Sequence, residues 1–346
     1  CREEFTRNSP YLIKKKGSGY LITDGASEVE VSLVERPAFY NRRTASGVPL
    51  SNIAVVHGGY TVITPSQRCD FFNRSIECKY CAGNFDVTGK DGVVYSVEEV
   101  LEAVEAVLKE KASGIIYFSI GFSDNDDGGL GFLKPYILAV KKRFNCLVAV
   151  ELPPPRDNRW IDETYALGAD SVLYNLEIFD KELFEIICPG RATLIGHKRY
   201  LEALEHAAKV FPSGTVASHL IVGLEPPGST CMGVDYLTGI GVVPILPIYR
   251  PSANRAIRIE PLDTEIILPV YKHLYKSIKK NRINVNWVRD ISMVTTPVEL
   301  KSIVSGEKQK SIVDGFYNSR LGKKTAWGLA TLRRKLRVID RDDDSE

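Results

Sequence analysis

From about residue 55 the chain alternates short apolar runs with longer stretches whose apolar positions recur every three to four residues. YTVITPS (60–66) is the first run, predicted as a strand. SVEEVLEAVEAVLKEKAS (96–113) has apolar residues at i, i+3, i+4 and i+7, with Ser96 placed to cap and Glu99 three residues on, so it predicts a helix. GIIYFSIG (114–121) is a β-branched and aromatic run, predicted as a buried strand. The alternation continues with helix 131–144, strand 146–153, helix 160–168, strand 171–179, helix 197–211, strand 215–224, helix 230–240, strand 242–249 and helix 264–281. Six apolar strands, each followed by a helix, mean a parallel sheet with right-handed crossovers. Such an array winds either as a doubly wound sheet or as a partial barrel. No G-x-G-x-x-G follows the first strand, so the dinucleotide fingerprint is absent. In either topology the functional site belongs at the C-terminal ends of the strands.

The flanks differ from this core. Residues 1–54 mix charge, glycine and short apolar runs and read as an N-terminal extension with a few strands. Residues 55–282 are the core. Residues 283–346 read as a C-terminal extension packing on or near it, with a basic helical segment and an acidic end.

Composition narrows the classes. The 346 residues are 44% hydrophobic and 25% charged, enough for a full globular core. A net charge of +2 implies no strong polyanion field, so a nucleic-acid partner is not expected. No apolar run approaches the roughly 20 residues of a membrane span. The opening stretch is polar and basic and starts at Cys1, so no signal peptide is legible and the natural N-terminus stays open. Seven cysteines, an odd number, argue against a disulfide framework and for a reducing, cytoplasmic setting.

Three of those cysteines carry the chemistry. SQRCDFFNRSIECKYCAGNF (66–85) places Cys69, Cys78 and Cys81 in a C-x8-C-x2-C pattern. Structural zinc wants four ligands, usually from two C-x2-C knuckles, and here there is one knuckle. A redox C-x-x-C has no use for Cys69. Cys1, Cys146, Cys188 and Cys231 stand apart and unpaired in sequence. Three thiolates suit a [4Fe–4S] cluster with one iron left open. A structural zinc, or a cluster completed by a distant cysteine, remains the alternative.

A cysteine loop after the first strand of a (β/α)6 array, with aromatic Tyr80 before the last cysteine, resembles the radical S-adenosylmethionine superfamily. The first gap departs from that family's usual C-x3-C-x2-C. YNLEIFDKELFEIICPGRATLIGHKRYLEAL (174–204) is similar to the biotin and lipoyl synthase branch, where an N-L-E or N-L-D strand precedes an arginine-bearing loop and a helix. SHLIVGLEPPGST (218–230) and GVVPILPIYRPSANR (241–255) resemble that branch's fifth and sixth strand ends. The resemblance covers roughly residues 55–280 and implies a partial (β/α)6 TIM-like barrel.

It also implies site roles. Cys69, Cys78 and Cys81 would ligate the cluster, and Tyr80 would sit beside the cofactor. Glu177 would accept the ribose hydroxyls of S-adenosylmethionine, with Asn175 on the same strand face. Arg191 would grip the methionine carboxylate, with Arg199 as its rival. Glu151 ends its strand at the barrel mouth. The family's G-G-E signature is missing from SIGFSDNDDGG (119–129), leaving Ser119, Gly121 or Ser123 to hold the amino group. Ile221, Val222 and Gly223 would flank adenine. His219, Tyr249 and Arg250 are substrate candidates.

The implied reaction is reductive cleavage of S-adenosylmethionine to a 5′-deoxyadenosyl radical that abstracts hydrogen from a small molecule. The outcome would be a rearrangement, a C–C bond change or a methyl-type modification. An electron donor such as ferredoxin or flavodoxin would be a partner. Sulfur insertion of the biotin and lipoyl synthase type needs a second cluster; no second cysteine triad stands in the sequence, and this insertion is kept as the alternative reaction. A non-enzymatic iron–sulfur or zinc protein is the competing class.

Overall fold

A computed structural model describes residues 9–17, 19–33, 35–81, 93–251, 255–285, 291–292, 294–295, 300 and 304. Most of the expected C-terminal extension therefore lies outside the described residues.

Near the N-terminus, β1 (Leu12–Lys16), β2 (Gly19–Thr23) and β3 (Glu28–Val31) form an antiparallel meander, with Leu12 opposite Thr23 and Tyr20 opposite Val31. The chain then packs inward. Phe39, and Leu50 and Ile53 of the one-turn helix α1 (Leu50–Ile53), are buried. Ser46 Oγ donates to Glu99 (2.5 Å) and Ala45 N donates to Glu102 (2.9 Å). Both carboxylates belong to α3 (Val97–Lys109), whose start is the expected capping box: Ser96 Oγ accepts from Glu99 N while the Glu99 carboxylate accepts from Ser96 N.

The main sheet has seven strands. β4 (Ala54–His57) turns back at Gly58, where φ is 58°, and pairs antiparallel with β5 (Tyr60–Ile63). β6 (Ile115–Ser119), β7 (Leu147–Glu151), β8 (Ser171–Leu173), β9 (Val216–His219) and β10 (Val243–Ile245) follow in parallel. The one-turn helix α2 (Asp70–Asn73) follows β5 ahead of α3, and α4 (Leu130–Arg143) and α5 (Arg159–Ala166) join the next strands. α6 (Lys181–Ile187), α7 (Pro189–Leu194) and α8 (His197–Val210) lie between β8 and β9. α9 (Pro227–Gly239) precedes β10, and α10 (Thr264–Asn281) follows it.

The spatial order β4-β5-β6-β7-β8-β9-β10 is the sequence order. A doubly wound sheet reverses its order at a switch point, and this one does not. With every crossover right-handed, successive helices cover the same face. A sheet covered on one face and twisted at each strand curls around its other face, which gives the partial (β/α)6 barrel. The antiparallel β4 at its edge is an addition to the expected six strands: AVVH (54–57) is the first arm of a hairpin that turns at Gly58 and Gly59 into β5.

Two strands are shorter than their apolar runs. β8 stops at Leu173 and β10 at Ile245, yet both segments keep single parallel bridges beyond, Glu177 to Leu220 and Val222 to Ile248. Pro244 suits β10, and Pro247 the stretch just beyond it, because an edge strand tolerates missing donors. At the opposite end of the sheet Lys141 of α4 pairs with Asp170, which also accepts from Val148 N (2.9 Å).

Candidate functional site

The cysteine loop explains its own spacing. After β5 the chain reaches Cys69, which caps α2. Ser75 at φ 57° then reverses the direction, and Cys78 and Cys81 lie on the return. The additional residues of the first gap are this one-turn helix and its reversal.

Main-chain bonds fix the loop from three sides. Asp70 N donates to Phe122 O (2.8 Å) in the loop after β6. Lys79 N donates to Ile187 O (2.9 Å), and Gly190 N donates to Ile76 O (2.9 Å), at the α6–α7 joint. Cys81 N donates to Cys78 O (2.9 Å), closing the C-x2-C turn. Phe71 stacks on Phe122 at 4.1 Å between centroids, which excludes water from that wall.

The loop roofs a cavity of about 220 Å³ at the C-terminal ends of the strands. Cys69, Cys78 and Cys81 all line it, with Tyr80, Ser119, Gly121, Glu151, Asn175, Glu177 and Arg191. Below it lies a polar network. Glu151, at the end of β7, accepts from Tyr117 Oη (2.9 Å) and from Asn175 Nδ2 (2.7 Å). Asn175 Oδ1 in turn accepts from His219 N (3.2 Å). Glu177 sits at φ 71°, held by Glu177 N to His219 O (2.7 Å) and Ile221 N to Glu177 O (2.8 Å). That left-handed turn is uncommon for a non-glycine residue and marks a position fixed by its surroundings.

Electrostatics set the thiols apart. Burial pushes the Cys69 thiol up. The Cys78 thiol is held below its usual range by a hydrogen bond from the Cys188 thiol, which with the Arg191 cation outweighs burial. Burial raises Tyr80 well above an ordinary phenol. Two buried polar atoms beside the cavity, Tyr80 Oη and Glu177 Oε2, have no hydrogen-bond partner. Buried polar groups are rarely left so, and these two fit a polar cofactor.

Among the described residues no three His, Cys, Asp or Glu side chains form a cage for a single ion. A cubane cluster asks for something different: thiolates on separate corners, further apart than donors around one ion. Three thiols on one cavity, two orphaned polar atoms and a dry aromatic wall fit a [4Fe–4S] cluster with a polar nucleoside better than they fit zinc.

Several expected residues sit elsewhere. Ser123 is off the cavity, its Oγ accepting from Asn125 Nδ2 (3.1 Å), because the loop after β6 turns outward beyond Phe122. Ile221 is buried and does not line the cavity. Gly223, at φ 104°, packs on Tyr249, whose Cβ would lie 3.4 Å from an added Cβ. Tyr249 is buried, donates to Ile257 O (2.6 Å) and does not line the cavity, so it tethers a loop. Arg250 is exposed, with its carbonyl accepting from Arg255. His219 is half-buried and reaches the network through its main chain. Arg199 donates to Pro155 O and Asn158 Oδ1, both at 2.7 Å, well off the cavity. Arg191 does face the cavity. Its guanidinium donates to Asn175 O, lies 3.6 Å from Glu177 and stacks over Tyr200. Cys188, isolated in sequence, is not isolated in space.

Sequence reasoning missed Phe71, Phe122, Tyr117, Tyr200 and Cys188. Tyr117 sits in an apolar strand run that reads as core, Tyr200 on a helix, and Phe71 and Phe122 in polar stretches beside the cysteines and after β6; Cys188 falls at a helix joint, where only the arginine after it was singled out.

Gly121 is the tightest point. An added Cβ would lie 2.4 Å from Arg68 O and 2.7 Å from Cys69 Cβ. The passage of the cysteine loop therefore requires glycine here. Gly121→Ala will destabilise the chain by about 1–3 kcal/mol, as overpacking does. Displacing Cys69 will also lower cluster loading in whatever folds, measured as iron per folded chain.

Residues 63–226 match the radical SAM superfamily. The chain is similar to bacteriochlorophyllide c C-7(1)-hydroxylase of Chlorobaculum limnaeum, 31% identical over 105 residues, 30% of this chain and 26% of that protein. It is also similar to lipoyl synthase of Thermus thermophilus, 27% identical over 170 residues, 49% of each chain. Each match thus spans less than half of the relative. In fold, the FeFe-hydrogenase maturase HydG from Carboxydothermus hydrogenoformans aligns with a TM-score of 0.53 at 17% identity, covering 64% of this chain and 52% of that one. Running from the end of β5 through the cysteine loop to the turn after β9, residues 63–226 of this chain are a radical SAM superfamily domain.

Proposed function

We propose that this chain binds a [4Fe–4S] cluster through Cys69, Cys78 and Cys81 and uses S-adenosylmethionine to functionalise a C–H bond of a small-molecule substrate. The observation that carries it is one cavity lined by all three thiols together with the strand-end residues Ser119, Glu151, Asn175 and Glu177. Enzymes of this superfamily use that cluster and S-adenosylmethionine. When bound, the pair supplies a one-electron route to a carbon radical able to take hydrogen from an unactivated carbon.

The chain's own residues do the holding. The three thiols, deprotonated, grip iron while the main-chain bonds at Asp70, Lys79 and Gly190 fix their directions. Glu177 Oε2 stands as an unused acceptor for ribose hydroxyls, and Tyr80 Oη as an unused donor. Glu151, locked by Tyr117 and Asn175, keeps a carboxylate at the cavity floor for a substrate or cofactor donor. The Phe71–Phe122 stack keeps bulk water from the reacting centre. The relative named a C-7(1)-hydroxylase acts at a carbon position, and this reading takes the same class of step, as a rearrangement, a C–C bond change or a methyl-type modification. The electron would come from a ferredoxin or flavodoxin. Among the described residues no helix is long and apolar enough to cross a membrane.

The test is anaerobic reconstitution of the purified chain with iron and sulfide, then addition of S-adenosylmethionine and dithionite. The expected results are a cubane electron paramagnetic resonance signal perturbed by S-adenosylmethionine, and 5′-deoxyadenosine in the product mixture. One tightly held zinc per chain with no 5′-deoxyadenosine would instead make the protein a metal-stabilised scaffold.

A further inference from the structure

Cys188 occupies the joint between α6 and α7. Pro189 cannot continue α6 and opens α7, so the joint is set by the sequence. The main chain of Cys188 is fully engaged, with its N–H donating to Phe184 O (2.8 Å) and its carbonyl accepting from Ala192 N (2.9 Å). Only its side chain is left to act. The residue is 0% exposed.

Its neighbours are clamped onto the cysteine loop. The bonds Lys79 N to Ile187 O and Gly190 N to Ile76 O bracket the pair formed by Cys78 and Cys188. Their closeness depends on Gly190, where an added Cβ would lie 2.4 Å from Phe71 Cδ1 and 2.6 Å from Ile76 O. Within this clamp the two thiols come close enough to interact, each shifting the other's hold on its proton. Between free thiols either sulfur can donate. A thiolate bound to iron has no proton, so with the cluster in place Cys188 must be the donor. The Arg191 guanidinium, three residues on, reaches the same Cys78 sulfur.

We propose that Cys188 is a positioning residue for the cluster, its S–H donating to the iron-bound Cys78 thiolate and raising the cluster's reduction potential. The inference rests on the radical SAM reading above. Hydrogen bonds to cluster sulfurs favour the reduced, more negative state, and so tune its potential. Such a bond eases entry of the electron that the chemistry needs.

The experiment is a redox titration, followed by electron paramagnetic resonance, of the reconstituted wild-type chain, Cys188→Ala and Cys188→Ser. All three are expected to load a cubane. Cys188→Ala shifts to more negative potential, with about a tenfold smaller ratio of reduced to oxidised cluster at a fixed poise, or about 59 mV for one electron. Cys188→Ser keeps an O–H donor and stays near wild type, which a purely packing role does not predict. An unmoved potential in Cys188→Ala overturns the inference while leaving the cofactor reading intact. A wild-type cluster that S-adenosylmethionine perturbs only after Cys188 is removed also overturns it, by showing Cys188 bound to iron. A wild-type chain that loads no cubane overturns the cofactor reading, and this inference falls with it.

Discussion

Replacing Cys69 with alanine is expected to take cluster iron in the reconstituted chain to background, and 5′-deoxyadenosine formation with it. The effect should exceed about a hundredfold, since losing even an outer-shell partner of a metal ligand costs about 10–100-fold. Cys69 is the sharper choice among the three. Cys78 has a second sulfur against it in Cys188, which offers iron a substitute. At Cys69 the neighbouring sulfur is that of Cys78, itself a proposed ligand. The fold should survive, because main-chain bonds hold the chain here, Phe72 N to Cys69 O and Asp70 N to Phe122 O. Cys231→Ala is the matched control, since Cys231 lies on α9 and does not line the cavity. Full iron in Cys69→Ala, or equal loss in Cys231→Ala, would remove the cysteine loop from the ligand set.

How much of this was legible depends on the length scale of each signal. The helix at Val97–Lys109 was readable to its first residue, because a capping box and a 3.6 period lie within one short window. The parallel array was readable from its alternation, but the choice between winding modes was not. That choice depends on which strand lies beside which, a long-range fact. The strand at 171–179 was overcalled because Tyr174, Leu176 and Ile178 are as apolar as a strand interior. They are buried, yet the ladder ends at Leu173, and beyond it Asn175 and Glu177 turn their polar groups into the cavity. For the site, ten residues named from motifs fall on one cavity, because strand ends are fixed by the array. The expected residues that do not line it share a feature. Ser123, Tyr249 and Arg250 lie past their strand ends, where loop path rather than strand direction sets the position. Cys188 and Tyr200 were invisible because they meet the cysteine loop across more than a hundred residues of intervening chain.

The largest expected loss of stability comes from the other end of the barrel. Asp170 and Lys141 have side chains only 6% and 8% exposed and form an ion pair. Asp170 also accepts from Val148 N (2.9 Å), while its own N–H donates to Val148 O (2.7 Å), so it aligns the start of β8 with β7. Asp170→Ala leaves the Lys141 ammonium buried without its counter-charge and Val148 N without its carboxylate acceptor. Breaking a buried pair from one side costs about 3–5 kcal/mol, a large share of the roughly 5–15 kcal/mol that holds a domain together. Urea unfolding should show the midpoint falling with the slope unchanged. The double variant Lys141→Met, Asp170→Leu should recover much of that loss, because the penalty arises from an uncompensated charge and not from the absence of a bridge. A double variant no more stable than Asp170→Ala would show that the Val148 contact, rather than charge burial, dominates. The pair lies at the N-terminal ends of the strands, opposite the cavity. Iron loading per folded chain should therefore be unchanged in both variants, which separates the part of the barrel that holds it together from the part that holds the cofactor.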